Sequence, residues 1–234
     1  MRFLGHSVAQ TSRGLLRGQL MVARWALLVV VAAAALTLTV LAVVRPPDYS
    51  VVGFARQGVI WFSFSWAIAI AVGQVNVQVG LGRSRRTLGR AALLAAVAMS
   101  LVYAAGVVGL IQLERGLYAA VGWEHAIRDD VLLAGDSSQI GPLLAAYLVA
   151  AASGQLCGLL VGIVYYRAGA WWGTLTLPLT VGPVILLQVV LSADLPFLDS
   201  GLARGATVVA VLALVAVAFQ RILRGTPVRT AALI

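Results

Sequence analysis

Apolar runs of about twenty residues recur along this chain, and that spacing restricts its fold more than any other feature. A bilayer core about 30 Å thick is crossed by about 20 helical residues. In hydrocarbon every backbone N–H and C=O must find its partner within the protein, which a helix achieves residue by residue. Only 11% of the 234 residues are charged, against 61% hydrophobic, and the mean hydropathy is +0.97. A soluble domain carries about 25% charged residues. The expected fold class is therefore an all-α integral membrane protein with six transmembrane helices, at approximately 25–44, 59–81, 91–112, 142–165, 171–191 and 206–223.

The flanking segments differ in character. Residues 1–24 hold Arg2, Arg13, Arg17 and Arg24 and no acid. Phe3, Leu4, Val8, Leu15, Leu16 and Leu20 share roughly one helical face, the pattern of an N-terminal interfacial amphipathic helix. Residues 224–234 form a short basic tail. Pro178 and Pro183 fall inside the fifth span, where neighbouring helices tolerate a kink. Leu117–Leu133 is too charged to cross and reads as a short amphipathic surface helix.

Charge sets the expected orientation. All 17 basic residues are arginine. With both termini cytoplasmic, 12 of the 17 lie inside: Arg2, Arg13, Arg17, Arg24, Arg83, Arg85, Arg86, Arg90, Arg167, Arg221, Arg224 and Arg229. Short loops rich in Arg stay on the cytoplasmic side. All eight acids then fall outside. The high pI is a topology signal, with anionic lipid headgroups as partners and no nucleic acid. The Arg-only, Ala- and Gly-rich composition points to a GC-rich bacterial genome of actinobacterial type, hence to the bacterial cytoplasmic membrane.

Several chemistries are excluded. Without lysine there is no G-x-x-x-x-G-K-[ST] phosphate loop. Cys157 is the sole cysteine, so no intramolecular disulfide or cysteine-based metal site can form. His6 and His125 read as solvated surface residues on opposite sides, and no Ser–His pair stands out. No acid or arginine lies near the middle of a span, which disfavours an ion-coupled carrier or an intramembrane enzyme. The expectation is a chain with no catalytic, cofactor or metal residues.

Uncharged features remain. Gln74 and Gln78 share a helical face, and with Thr176 and Thr180 they are either interhelical hydrogen-bonding groups or the lining of a substrate path. Ala146, Ala150, Gly154, Gly158 and Gly162 recur every four residues along the fourth span. Small residues at this period let helix backbones approach closely. Packing within the chain and between chains both satisfy the pattern.

The loop Gly82-Arg83-Ser84-Arg85-Arg86-Thr87-Leu88, directly before a span, resembles the G-x-[ST]-R-[RK]-x-[FL] cytoplasmic turn of ABC (ATP-binding-cassette) export permeases of the type-2 class. The resemblance implies six spans, an N-terminal interfacial helix, and no ATP site in this chain. It implies a separate ATPase subunit carrying ATP and Mg, a second permease chain as homo- or heterodimer partner, and docking of the ATPase on this loop. Arg167, between spans four and five, would supply a second contact. Asp194–Asp199 would occupy the place of short re-entrant helices. The rival expectation is a non-transporting membrane protein with a regulatory or sensory role.

Overall fold

In a computed structural model, residues 2–44, 49–127, 136–192 and 200–227 are described, as six helices, a short 3-10 turn and one isolated bridge. The helices are α1 (Arg2–Val44), α2 (Ala55–Gly80), α3 (Arg85–Val121), α4 (Ile140–Leu175), α5 (Leu177–Ser192) and α6 (Gly201–Arg224). The 3-10 turn Val52–Phe54 leads into α2. Five helical segments are long and apolar enough to cross a membrane; α5, at 16 residues, is shorter. Residues 45–48, Arg128, Asp129, Asp130, Arg229 and the Asp194–Asp199 segment lie outside the described residues.

Local chemistry explains most helix boundaries. Ser84 caps α3 by accepting the Thr87 amide at 3.1 Å, and its hydroxyl meets that of Thr87 at 2.9 Å. Such a cap satisfies one of the four orphan donors of a helix start. Gly122 ends α3 with φ 75°, a left-handed conformation that costs glycine nothing. Ser200 caps α6 in the same way, accepting from Ala203 at 3.1 Å. Arg221 and Arg224 stand in the last turn of α6, where a positive charge meets the negative end of the helix dipole.

Two expected boundaries move. Residues 2–24 and 25–44 form one helix with no break at Trp25, because nothing in Val22-Ala23-Arg24-Trp25 disrupts the i to i−4 ladder. At 43 residues α1 is about 64 Å long, more than any bilayer requires. Its N-terminal half packs on the bundle: Leu15 joins the core, and Gln19 accepts from Gln155 of α4 at 3.1 Å. Its apolar half, Leu27 to Val44, stays largely exposed on the bundle surface. At the far end of α3, Leu117–Val121 continues that helix rather than starting a surface helix, and Tyr118 is fully buried.

Between α4 and α5 the chain breaks twice. Gly169 takes φ 81° inside the Ile140–Leu175 segment, so the helix axis changes direction there. The second break falls at Thr176, since Pro178 has no N–H to return to the Thr174 carbonyl.

The most buried helix is α4, which touches α2, α3, α5 and α6. Its small stripe meets α2. A Cβ at Gly154 would lie within 3.0 Å of the Ile60 carbonyl and the Ser63 hydroxyl. One at Gly158 would strike the Phe64 carbonyl and Ala67, and one at Gly162 would strike Ala71 and the Ile68 carbonyl. The α2 side repeats the period: Ser63, Ala67, Ala71 and Val75 are all buried. Ala146 and Ala150 extend the same buried row. The close approach is thus made within the chain.

Gly158→Ala should lower stability by about 2 kcal/mol, because the added methyl meets backbone that cannot step aside. Gly182→Ala, with open space around it, should leave stability unchanged. Thermal unfolding of the purified variants in detergent measures both, and equal melting temperatures would place α4 farther from α2 than described.

Candidate functional site

Polar residues concentrate at the two ends of the bundle. At one end α2 turns into α3. Gly82 adopts φ 76°, reversing the chain, and Ser84 starts the new helix. Arg83 donates to the Thr11 hydroxyl, tying α1 to the turn. Thr87 and Leu88 are buried, Leu88 within the core. Arg86 and Arg90 are exposed, whereas Arg85 is half-buried. The loop is therefore a rigid, capped turn with two free guanidinium groups on its surface. Arg167 stands at the same end, exposed, beside Gly225 just past α6.

The candidate path residues face inward only in part. Gln78 donates to Gln74 at 2.9 Å, and Asn76 accepts from the Tyr166 hydroxyl. Gln74 also lines a cavity of about 10 Å³ among Ala71, Val75, Leu88, Ala92 and Phe219. That space holds no more than one water molecule. Thr180 is buried and bonds back to the Thr176 carbonyl at 3.1 Å; Thr176 bonds back to the Gly173 carbonyl at 2.9 Å. These two hydroxyls are satisfied by their own helix.

The opposite end holds a cluster that sequence reading missed. Glu114 of α3 is buried and accepts four kinds of hydrogen bond: Ser50 Oγ at 2.5 Å, Val51 N–H at 2.8 Å, Val52 N–H at 3.3 Å and His125 Nε2 at 3.3 Å. The carboxylate thus sits on the start of the 3-10 turn and fixes it. His125 Nδ1 lies 3.0 Å from Ser137 Oγ, and the Ser137 carbonyl accepts from Gln112 at 2.7 Å. Tyr118 stacks edge-on against His125 and donates to the Tyr49 carbonyl at 3.2 Å. A bridge between Tyr49 and Ala126 joins the two loops, with Ser50 N–H donating to Ala126 at 2.8 Å. Beside it, the Ser138 hydroxyl holds the carboxyl of exposed Asp136 below its ordinary pKa.

His125 is therefore a buried partner and not a solvated residue, and a Ser–His–Glu line does exist. Its geometry is structural: Ser137 is 1% exposed, too enclosed to attack a substrate, and Glu114 is fully engaged. The acid 64 residues from Ser50 gave no local signal in the sequence. Glu114, two residues past an apolar run and followed by Arg115, looked like an ordinary surface acid.

Glu114→Ala should cost about 3 kcal/mol, since several buried donors lose their acceptor together. Tyr118→Phe should cost about 1 kcal/mol. Hydrogen exchange resolves the effect: residues 50–54 should lose amide protection in Glu114→Ala while α2 and α4 keep theirs.

Comparison with protein-family models, curated proteins and solved structures returns no match.

Proposed function

We propose that this chain is the membrane-spanning permease subunit of an ATP-driven exporter of the ABC type, sitting in a bacterial cytoplasmic membrane. The observation that carries the reading is the 82–90 turn. Its glycine reversal, serine cap and buried Thr87–Leu88 make it stiff, while Arg86 and Arg90 stay free on its surface. A stiff loop with exposed guanidinium forks suits a protein that must take up a push from a soluble partner. A loosely tethered basic loop would serve only to hold headgroups. The ATPase, with its ATP and Mg, would be a separate subunit, and a second permease chain would complete the transporter.

Six crossings follow if the Gly169 break ends the fourth and residues 170–192 make the fifth. Charge distribution supports cytoplasmic termini. The described acids Glu114, Glu124 and Asp136 gather at the end where the 49–54 and 122–127 loops meet. Arg83, Arg85, Arg86, Arg90, Arg167, Arg221 and Arg224 gather at the other. In a Cys157→Ser background, cysteines at the exposed positions Arg90 and Glu124 should label from opposite membrane faces. Labelling of both by an impermeant reagent on intact cells would end the six-crossing topology.

Docking and lipid attraction separate at Arg86. Headgroup attraction is worth about 1 kcal/mol per basic residue and treats Lys and Arg alike. An interface that grips the planar fork does not. Arg86→Lys should leave insertion intact yet lower ATPase co-purification several-fold, and Arg86→Ala with Arg90→Ala should abolish transport-linked ATP hydrolysis. Wild-type coupling in the double variant would mark the loop as a lipid anchor and remove the basis for a transporter.

A further inference from the structure

Three arginines from α3, α4 and α6 share a level at the arginine-rich end. Gly89 of α3 faces Gln220 of α6, since a Cβ at Gly89 would lie within 3.0 Å of the Gln220 amide. These helices run antiparallel, with the start of α3 beside the end of α6. One turn beyond that contact, Arg85 and Arg224 therefore stand at the same level. Arg167 reaches the same place from α4: its Nη1 would be 3.0 Å from a Cβ on Gly225.

Arg85 has an unmet need. Its Nε is shut away from solvent and has no hydrogen-bond partner among the described residues. No described carboxylate is near, because Glu114, Glu124 and Asp136 belong to the far end. Three like charges repel one another unless an anion joins them. Guanidinium forks match the paired oxygens of a phosphate.

Depth decides which phosphate. Trp171 and Trp172 follow Arg167 within five residues and are 74% and 63% exposed. Indoles exposed beside an apolar span settle at the headgroup level of a bilayer. That level is where lipid phosphates lie.

We propose that Arg85, Arg167 and Arg224 form a cleft that binds the phosphate of an anionic phospholipid. The cleft does not depend on the transport reading, and it leaves the exposed Arg86 to a soluble partner. Purified full-length protein in detergent can be titrated with fluorescent phosphatidylglycerol and with phosphatidylcholine of the same chain length. Phosphatidylglycerol should bind more tightly, and each Arg→Gln change at the three positions should weaken it about fivefold. Arg13→Gln with Arg17→Gln, exposed on α1, should weaken it less than about twofold. Equal losses in the two sets would mean diffuse attraction and overturn the cleft. Displacement of the lipid by millimolar inorganic phosphate would overturn the lipid as occupant. Should Arg85→Gln or Arg224→Gln fail to fold, the exposed Arg167→Gln alone must show its share of the loss, and an unchanged affinity there overturns the proposal.

Discussion

The bundle depends on backbone touching backbone between α2 and α4. In a bilayer, apolar side chains gain little by leaving lipid for protein, so helices associate through close van der Waals packing and hydrogen bonds. Gly154, Gly158 and Gly162 remove the side chains that would keep α4 away from the Ile60, Phe64 and Ile68 carbonyls. Ser63 uses that proximity, sharing its hydroxyl between the Ile60 carbonyl at 3.0 Å and the Ala151 carbonyl at 3.4 Å. Once α4 is seated, its remaining faces receive α3, α5 and α6. The turn that carries Arg86 and the cluster around Glu114 are positioned at the two ends of this seam.

The two ends are built on different principles. At the Glu114 end, a buried carboxylate is satisfied by hydrogen bonds and the loops are stitched to each other. At the arginine end, positive groups accumulate without described carboxylates, and the helices are held instead by the Arg83–Thr11 and Tyr166–Asn76 hydrogen bonds. The first end resists opening. The second is left with unspent electrostatic attraction for whatever lies beyond it, whether lipid or protein.

Most of the helical architecture was legible in the sequence, because apolar runs and a four-residue small stripe are local signals with one physical cause each. Ser84 stood out as part of a motif, and its role as a helix cap came from the structure. Three things were not. The change in character at Trp25 suggested a joint in α1 where no breaker stands, and the seating of its polar half on the bundle through Leu15 and Gln19 is a tertiary matter. Likewise, the role of His125 arises only when a loop folds back over Glu114 and Ser137. The partner of the Gly stripe was open, since a matching row on α2 is written in Ser, Ala and Val rather than in glycine.

The division of labour along α1 has a consequence for how this chain can change over generations. Thr11, Leu15 and Gln19 each meet a specific neighbour, so replacing any of them disturbs a fitted contact. From Leu27 to Val44 most side chains are exposed on the bundle surface, where fluid acyl chains would accept any shape. Drift in that stretch is filtered only for hydropathy, so Leu, Val, Ile and Ala can replace one another there almost freely. Kindred chains would then look unrelated across a whole span while keeping three anchor positions, two polar and one apolar, in register.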